Sequence, residues 1–174
     1  PSQMFTAIDS VPLTAIAFFM LTGELMTSAT ITDRLVALSR ALIGRIRGGL
    51  AQVNVLVSMF FAGMNGSVVA DTATVGALVL PAMKKAGYPA AFSAAVTGVS
   101  STIGGIIPPS IMMIVLANAT EISIASLFAA GIIPGILIGV VIMVINHYFA
   151  VKYNFERSDE PFSVRRAGKE LYRS

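Results

Sequence analysis

The chain has 174 residues, 55% of them hydrophobic and only 12% charged, with a net charge of +3. Soluble domains carry about 25% charged residues, so a soluble monomer, a disordered chain and a disulfide scaffold are excluded, and the mean hydropathy of +0.80 marks a membrane protein. With no cysteine and a single histidine, His147, thiol chemistry and histidine-clustered metal sites are excluded too, and the basic excess reads as a topology marker rather than a nucleic-acid footprint.

The sequence opens on Pro1 with no charged stretch ahead of an apolar core, so no signal peptide is read, and the missing initiator Met points to a trimmed chain or a fragment. Val11 to Ala29 is apolar or hydroxylic apart from Glu24 and reaches the spanning length of about 20 residues. Glu24 is expected to pack against the hairpin described next or to sit at an interface. Thr30 to Arg47 mixes Leu35, Val36, Leu38, Leu42, Ile43 and Ile46 with Asp33, Arg34, Arg40, Arg45 and Arg47. Its apolar positions recur at helical spacing, which predicts a basic amphipathic helix on the membrane surface, capped by Thr32 or Asp33.

Leu50 to Ala70 carries no charge, yet its middle reads Ala62-Gly63-Met64-Asn65-Gly66-Ser67. Glycine costs about 1 kcal/mol in a helix interior, and Asn-Gly is a turn signal. Val68 to Met83 then resumes a mostly apolar run. Two arms of about 14 residues would each rise about 21 Å, short of the hydrocarbon thickness of about 30 Å. The spacing therefore predicts a re-entrant helical hairpin over residues 49–85.

The next segment, 89–117, is predicted to cross but is interrupted. Thr97 to Ser110 reads TGVSSTIGGIIPPS, and Gly104-Gly105 with Pro108-Pro109 breaks any helix. Freed backbone groups are tolerated at membrane depth only where protein buries them or a wet cavity meets them. Two half-helices around an unwound loop are expected. After a link at Asn118 to Glu121, residues 122–150 cross back, with His147 near the interface beside Tyr148. Lys152 then opens a tail, 151–174, that holds Arg157, Arg165, Arg166, Lys169 and Arg173. With this topology every Lys and Arg falls on one side, the cytoplasmic one. A single crossing over Leu50 to Met83 would scatter them.

A hairpin tip and a broken helix in one bundle are how secondary transporters build midplane sites. Half-helix N-termini offer N–H groups to anions, and unwound carbonyls offer oxygen to a small cation such as sodium. The candidate sodium and substrate residues are Asn65, Gly66 and Ser67 at the tip, with Ser100, Ser101, Thr102, Gly104, Gly105, Pro108, Pro109 and Ser110 at the break. No carboxylate cage is present, so a tightly held divalent metal is not expected. Asp71 lies four residues beyond Ser67 and should face the bundle. It either caps the first turn of the second arm or coordinates an ion or carries a proton. Neither a nucleophile with its base nor paired aspartates is found, so the chain is not expected to be an enzyme. A channel-like or structural subunit, whose hairpin only packs, is the other class these residues allow.

The runs FFAGMNGSVVADTATVGALVLPAM from Phe60, KKAGYPAAFSAAVTG, GGIIPPSI from Gly104 and LFAAGIIPGIL from Leu127 closely resemble the large membrane subunit of the tripartite ATP-independent periplasmic (TRAP) transporters, in the same order. VPLTAIAFFMLTGELM and GRIRGGLAQVNVLVS are similar to the same family. The resemblance implies an all-α, multi-pass protein of the bacterial or archaeal cytoplasmic (inner) membrane. It implies sodium-driven uptake of organic acids by an elevator-type fold with two inverted repeats. The implied partners are a periplasmic substrate-binding protein, a small membrane subunit and a second half of the large subunit; the implied coupling ion is sodium, with no tightly bound cofactor. Asn65 stands where members often have Ser. The implied division is a first helix and arm helix (1–48), a transport-domain part (49–117, the hairpin 49–85 and the broken helix 89–117), a further helix (122–150) and a cytoplasmic linker (151–174). This stretch corresponds to the first repeat without its leading segment, so the chain alone is not expected to transport.

Overall fold

The computed structural model describes residues 11–28, 31–43 and 46–155. Its elements among them are α1 (Val11–Ser28), α2 (Ile31–Ile43), α3 (Gly49–Asn65), α4 (Val68–Lys85), α5 (Ala90–Ser101), a 3-10 turn (Thr102–Gly105), α6 (Ile111–Thr120) and α7 (Ile124–Lys152). The all-helical expectation holds for these residues. The side chains of Glu24, Thr32 and Asp33, and all of residues 156–174, lie outside the described set, so the capping of α2 and the basic tail are not part of this description.

α3 is uncharged and mostly apolar, with Gln52, Asn54 and Ser58 as buried polar exceptions, and such a helix must be enclosed. Ala51, Val53, Val55, Val57 and Phe61 are completely buried, because α1, α2, α4, α5 and α7 all pack against α3. α4 instead buries one stripe, Val75, Val79 and Met83. The two helices form a closed antiparallel hairpin: Asn54 near the start of α3 donates Nδ2–H to Met83 Sδ near the end of α4, at 3.8 Å.

The arms are longer than the sequence suggested. α3 has 17 residues and α4 has 18, which rise about 26 and 27 Å. Helix α3 absorbs Gly63 and runs to Asn65, where Gly66 in the left-handed region (φ 58) ends it. Helix α4 likewise absorbs Pro81.

The break in the following helix starts later than expected. Thr97 to Ser101 are helical, and the Ser100 and Ser101 hydroxyls turn back onto the Thr97 carbonyl at 3.1 and 2.8 Å rather than into the loop. Unwinding begins with the 3-10 turn and continues to Ser110, through a cis Pro108-Pro109 bond. α6 then runs through Asn118 to Thr120, so most of the expected link is helix, and Glu121 at φ 58 closes it.

α7 has 29 residues and, among those described, is the one helix both long and apolar enough to cross a membrane. Its buried side is Gly131, Gly135, Gly139, Ile142, Asn146 and Ala150. Gly131 meets Ile106 and Gly135 meets Ile107 in the break, while Gly139 meets Met59 on α3, so the helix seats itself against both. Its other side shows Ile133, Leu137 and Val144 at 75, 61 and 63% exposure, a surface suited to lipid. At its far end Phe149, Tyr153 and Phe155 join Tyr88 and Phe92 in an aromatic cluster. Burial pushes the Tyr88 phenol up, partly offset by the Leu50 backbone N–H beside it.

Candidate ion and solute site

The hairpin tip is built by short-range chemistry. Asn65 Oδ1 accepts the Ser67 backbone N–H at 3.1 Å, an Asx turn that fixes the reversal. Gly66 closes α3 with its N–H on the Ala62 carbonyl. Ser67 opens α4 as its N-cap, Oγ accepting the Ala70 N–H at 3.4 Å. α1 touches this tip: a Cβ on Gly23 would sit 2.9 Å from Asn65 Cβ.

The tip rests on the break. The Gly66 carbonyl accepts the Ile111 N–H at 3.4 Å, and a Cβ on Gly66 would overlap the Pro109 carbonyl oxygen. Positions 104 and 105 pack against Ser67 and Val68; a Cβ on Gly104 would lie 3.7 Å from the Ser67 carbonyl oxygen. Ser110 donates Oγ–H to the Gly105 carbonyl at 2.8 Å and accepts the Met113 N–H at 3.3 Å, which makes it the N-cap of α6. The N-termini of α4 and α6 thus meet the C-terminal end of α3 and the unwinding end of α5. Helix N-termini favour negative charge and C-termini positive charge, so one small region offers both.

Of the residues singled out from sequence, Asn65, Gly66, Ser67, Gly104, Gly105, Pro109 and Ser110 come together here, with Pro108 beside Gly63. Thr102 does not join them: it is exposed and donates its hydroxyl to its own helix at Val99. Ser100 and Ser101 are completely buried, within the helical part rather than in the loop.

Asp71 is also completely buried, and neither carboxylate oxygen has a hydrogen-bond partner. Its expected capping role belongs to Ser67 instead. The Ser101 and Ser58 hydroxyls stand beside it, yet Ser101 donates to Thr97 and Ser58 pairs with Ser100 at 3.2 Å. Ser58 and Ser101 are thus the polar neighbours of a buried carboxyl group in the first turn of α4.

Below the tip runs a polar ladder that the sequence reading missed. Asn54 Nδ2 donates to Thr97 Oγ1 at 2.7 Å. Thr97 Oγ1 donates on to the Ser93 carbonyl at 3.0 Å, and Asn54 Oδ1 lies 3.4 Å from Ser100 Oγ. The available signal was spacing: Asn54 and Ser58 are four apart on α3, and Ser93, Thr97 and Ser101 are four apart on α5. Each set therefore forms one stripe on its helix. Among the described residues, no three His, Cys, Asp or Glu side chains gather to hold a metal.

The family model for the tripartite ATP-independent periplasmic transporter, DctM component, matches residues 1–173. The C4-dicarboxylate TRAP transporter large permease protein DctM of Pseudomonas aeruginosa is 43% identical over 148 residues, 85% of this chain and 35% of its own length. The sialic acid TRAP transporter large permease protein SiaM of Vibrio cholerae is 39% identical over 153 residues, 88% of this chain and 36% of its own. The isethionate TRAP transporter permease protein DctMQ of Oleidesulfovibrio alaskensis is 38% identical over 148 residues, 85% of this chain and 23% of its own. The chain thus spans about a third or less of these relatives. Their names describe transport permeases of membranes, in line with the apolar composition and the oxygen-lined helix break described above, and the chain belongs to the DctM component family of tripartite ATP-independent periplasmic transporters.

Proposed function

We propose that this chain forms the first repeat of the large permease subunit of a sodium-coupled importer of organic acids. The observation that carries this reading is the meeting of tip and break. Two N-caps, Ser67 and Ser110, and the carbonyl-bearing turns at Gly66, Gly104-Gly105 and Pro108-Pro109 lie in contact. In this reading the residues of the tip and break, with Ser100, Ser101 and Asp71 but without Thr102, serve sodium and the acid group of the solute. Residues 49–85 form a re-entrant hairpin and 89–117 a discontinuous helix of a moving domain, while 1–48, 122–150 and 151–174 are scaffold, arm and cytoplasmic linker.

The relatives' names cover a C4-dicarboxylate, sialic acid and isethionate, all acids, which supports an acidic solute here. A periplasmic binding protein delivers it, a small membrane subunit braces the scaffold, and an inverted second repeat supplies the other half of the cleft. The protein works in a bacterial or archaeal inner membrane, crosses it several times, and has no enzymatic activity or tightly bound cofactor.

The absence of cysteine allows a direct test. Val68→Cys is placed in the full-length permease, and maleimide labelling is followed from each side in sodium and in potassium. Slower labelling in sodium alone supports a cation that closes the tip on the break. Equal and rapid periplasmic labelling in both salts rejects it.

A further inference from the structure

We propose that Asn54 is a positioning residue that sets the register between tip and break from the opposite end of the hairpin. It is completely buried, and its one side chain touches three residues on two other helices: Met83 on the other arm, and Thr97 at 2.7 Å and Ser100 one turn further along on α5. A leucine of similar size would fill the same space, so packing does not explain an amide here. What the amide adds is direction, since its donor and its acceptor are both engaged by the same helix.

The contact continues toward the site. Thr97, held by Asn54, receives the Ser101 hydroxyl on its carbonyl. Unwinding starts at the residue after Ser101, Thr102. Ser101 in turn stands beside Asp71, whose backbone N–H bonds the Ser67 carbonyl at 3.0 Å. Asn54 thereby fixes where α5 stops and how α4 lies against it, which are the two things that place Gly104 under Ser67. The proposal rests on the function above only for what the site binds.

The test uses amide hydrogen exchange in the full-length permease, first without sodium. Asn54→Leu is expected to speed exchange about tenfold in the peptides that hold the tip and the 3-10 turn, with α7 unchanged. Thr97→Val removes the shared Asn54–Thr97 bond from the other side and gives the same pattern; the double variant falls short of the sum of the two single ones, because one interaction is common to both. In transport assays Asn54→Leu raises the sodium half-saturation while the maximal rate stays within about twofold. Uniform acceleration that includes α7, an unchanged tip, or additive single effects would each overturn the proposal. Loss of sodium dependence in the unmodified protein would instead overturn the proposed function and leave the sodium-free comparison intact.

Discussion

Gly66 and Pro109 are in such close contact that the tip has no room for a side chain. A Cβ on Gly66 would overlap the Pro109 carbonyl oxygen, and the glycine already sits at φ 58. Gly66→Ala therefore meets two penalties: about 1–2 kcal/mol for the left-handed conformation, and displacement of a backbone atom that cannot rotate away. We expect lower thermal stability in detergent and loss of sodium-dependent protection at position 68. An alanine variant with unchanged melting and labelling would contradict the contact.

Asp71 should separate stability from function. Burying a carboxylate without a partner is unfavourable, so Asp71→Asn is expected to leave the fold at least as stable. The same change removes the charge facing Ser58 and Ser101, and with it the effect of sodium on labelling. Thermal unfolding and labelling of one preparation would check both. A destabilised Asn variant that retains its sodium response refutes the expectation.

Tyr88 makes the aromatic cluster at the far end of α7 sensitive to alkali. Burial holds its phenol above the ordinary value, which is about 10. The folded protein keeps this proton where the unfolded chain has lost it. The stabilisation is complete below about pH 10 and declines as pH rises through the folded value. Melting temperature followed through that range should fall more steeply in the unmodified protein than in Tyr88→Phe, and parallel curves would exclude Tyr88 as the source.

The glycine face of α7 should respond unevenly. A Cβ on Gly131 lies 2.5 Å from the Ile106 carbonyl oxygen, whereas one on Gly139 meets the Met59 sulfur at the same distance. Methionine repacks readily and a main-chain carbonyl does not. Gly131→Ala is expected to cost about 1–3 kcal/mol, and Gly139→Ala less than about 1.5. Comparison of the two unfolding midpoints decides the order.

Much of this architecture could be read from the chain because glycine, proline and asparagine act locally. Asn65-Gly66-Ser67 announces a reversal whatever surrounds it, and Gly104-Gly105 with Pro108-Pro109 announces a break. Helix ends were less legible. Ser100 and Ser101 look like loop residues until their hydroxyls are seen on the Thr97 carbonyl, and Gly63 looks like a breaker until α3 is seen enclosed by five helices. The ladder through Asn54, Ser58 and Thr97 was hidden for a related reason. A single polar residue in an apolar run gains meaning only from a partner on another helix, and sequence distances of 42 to 46 residues carry no local trace of that partner.

The four helix ends around Gly66 and Pro109 have one more consequence. Two ends present hydrogen-bond donors and two present acceptors, so the backbone ends alone, leaving Asp71 aside, favour neither sign. A lone anion would be drawn to one pair of ends and disfavoured by the other, and the same holds for a lone cation. Opposite charges seated together satisfy all four, and each guest lowers the electrostatic cost of the other. An arrangement of this kind binds an ion pair more tightly than the sum of its members, which ties occupancy by one species to occupancy by the other without any moving part.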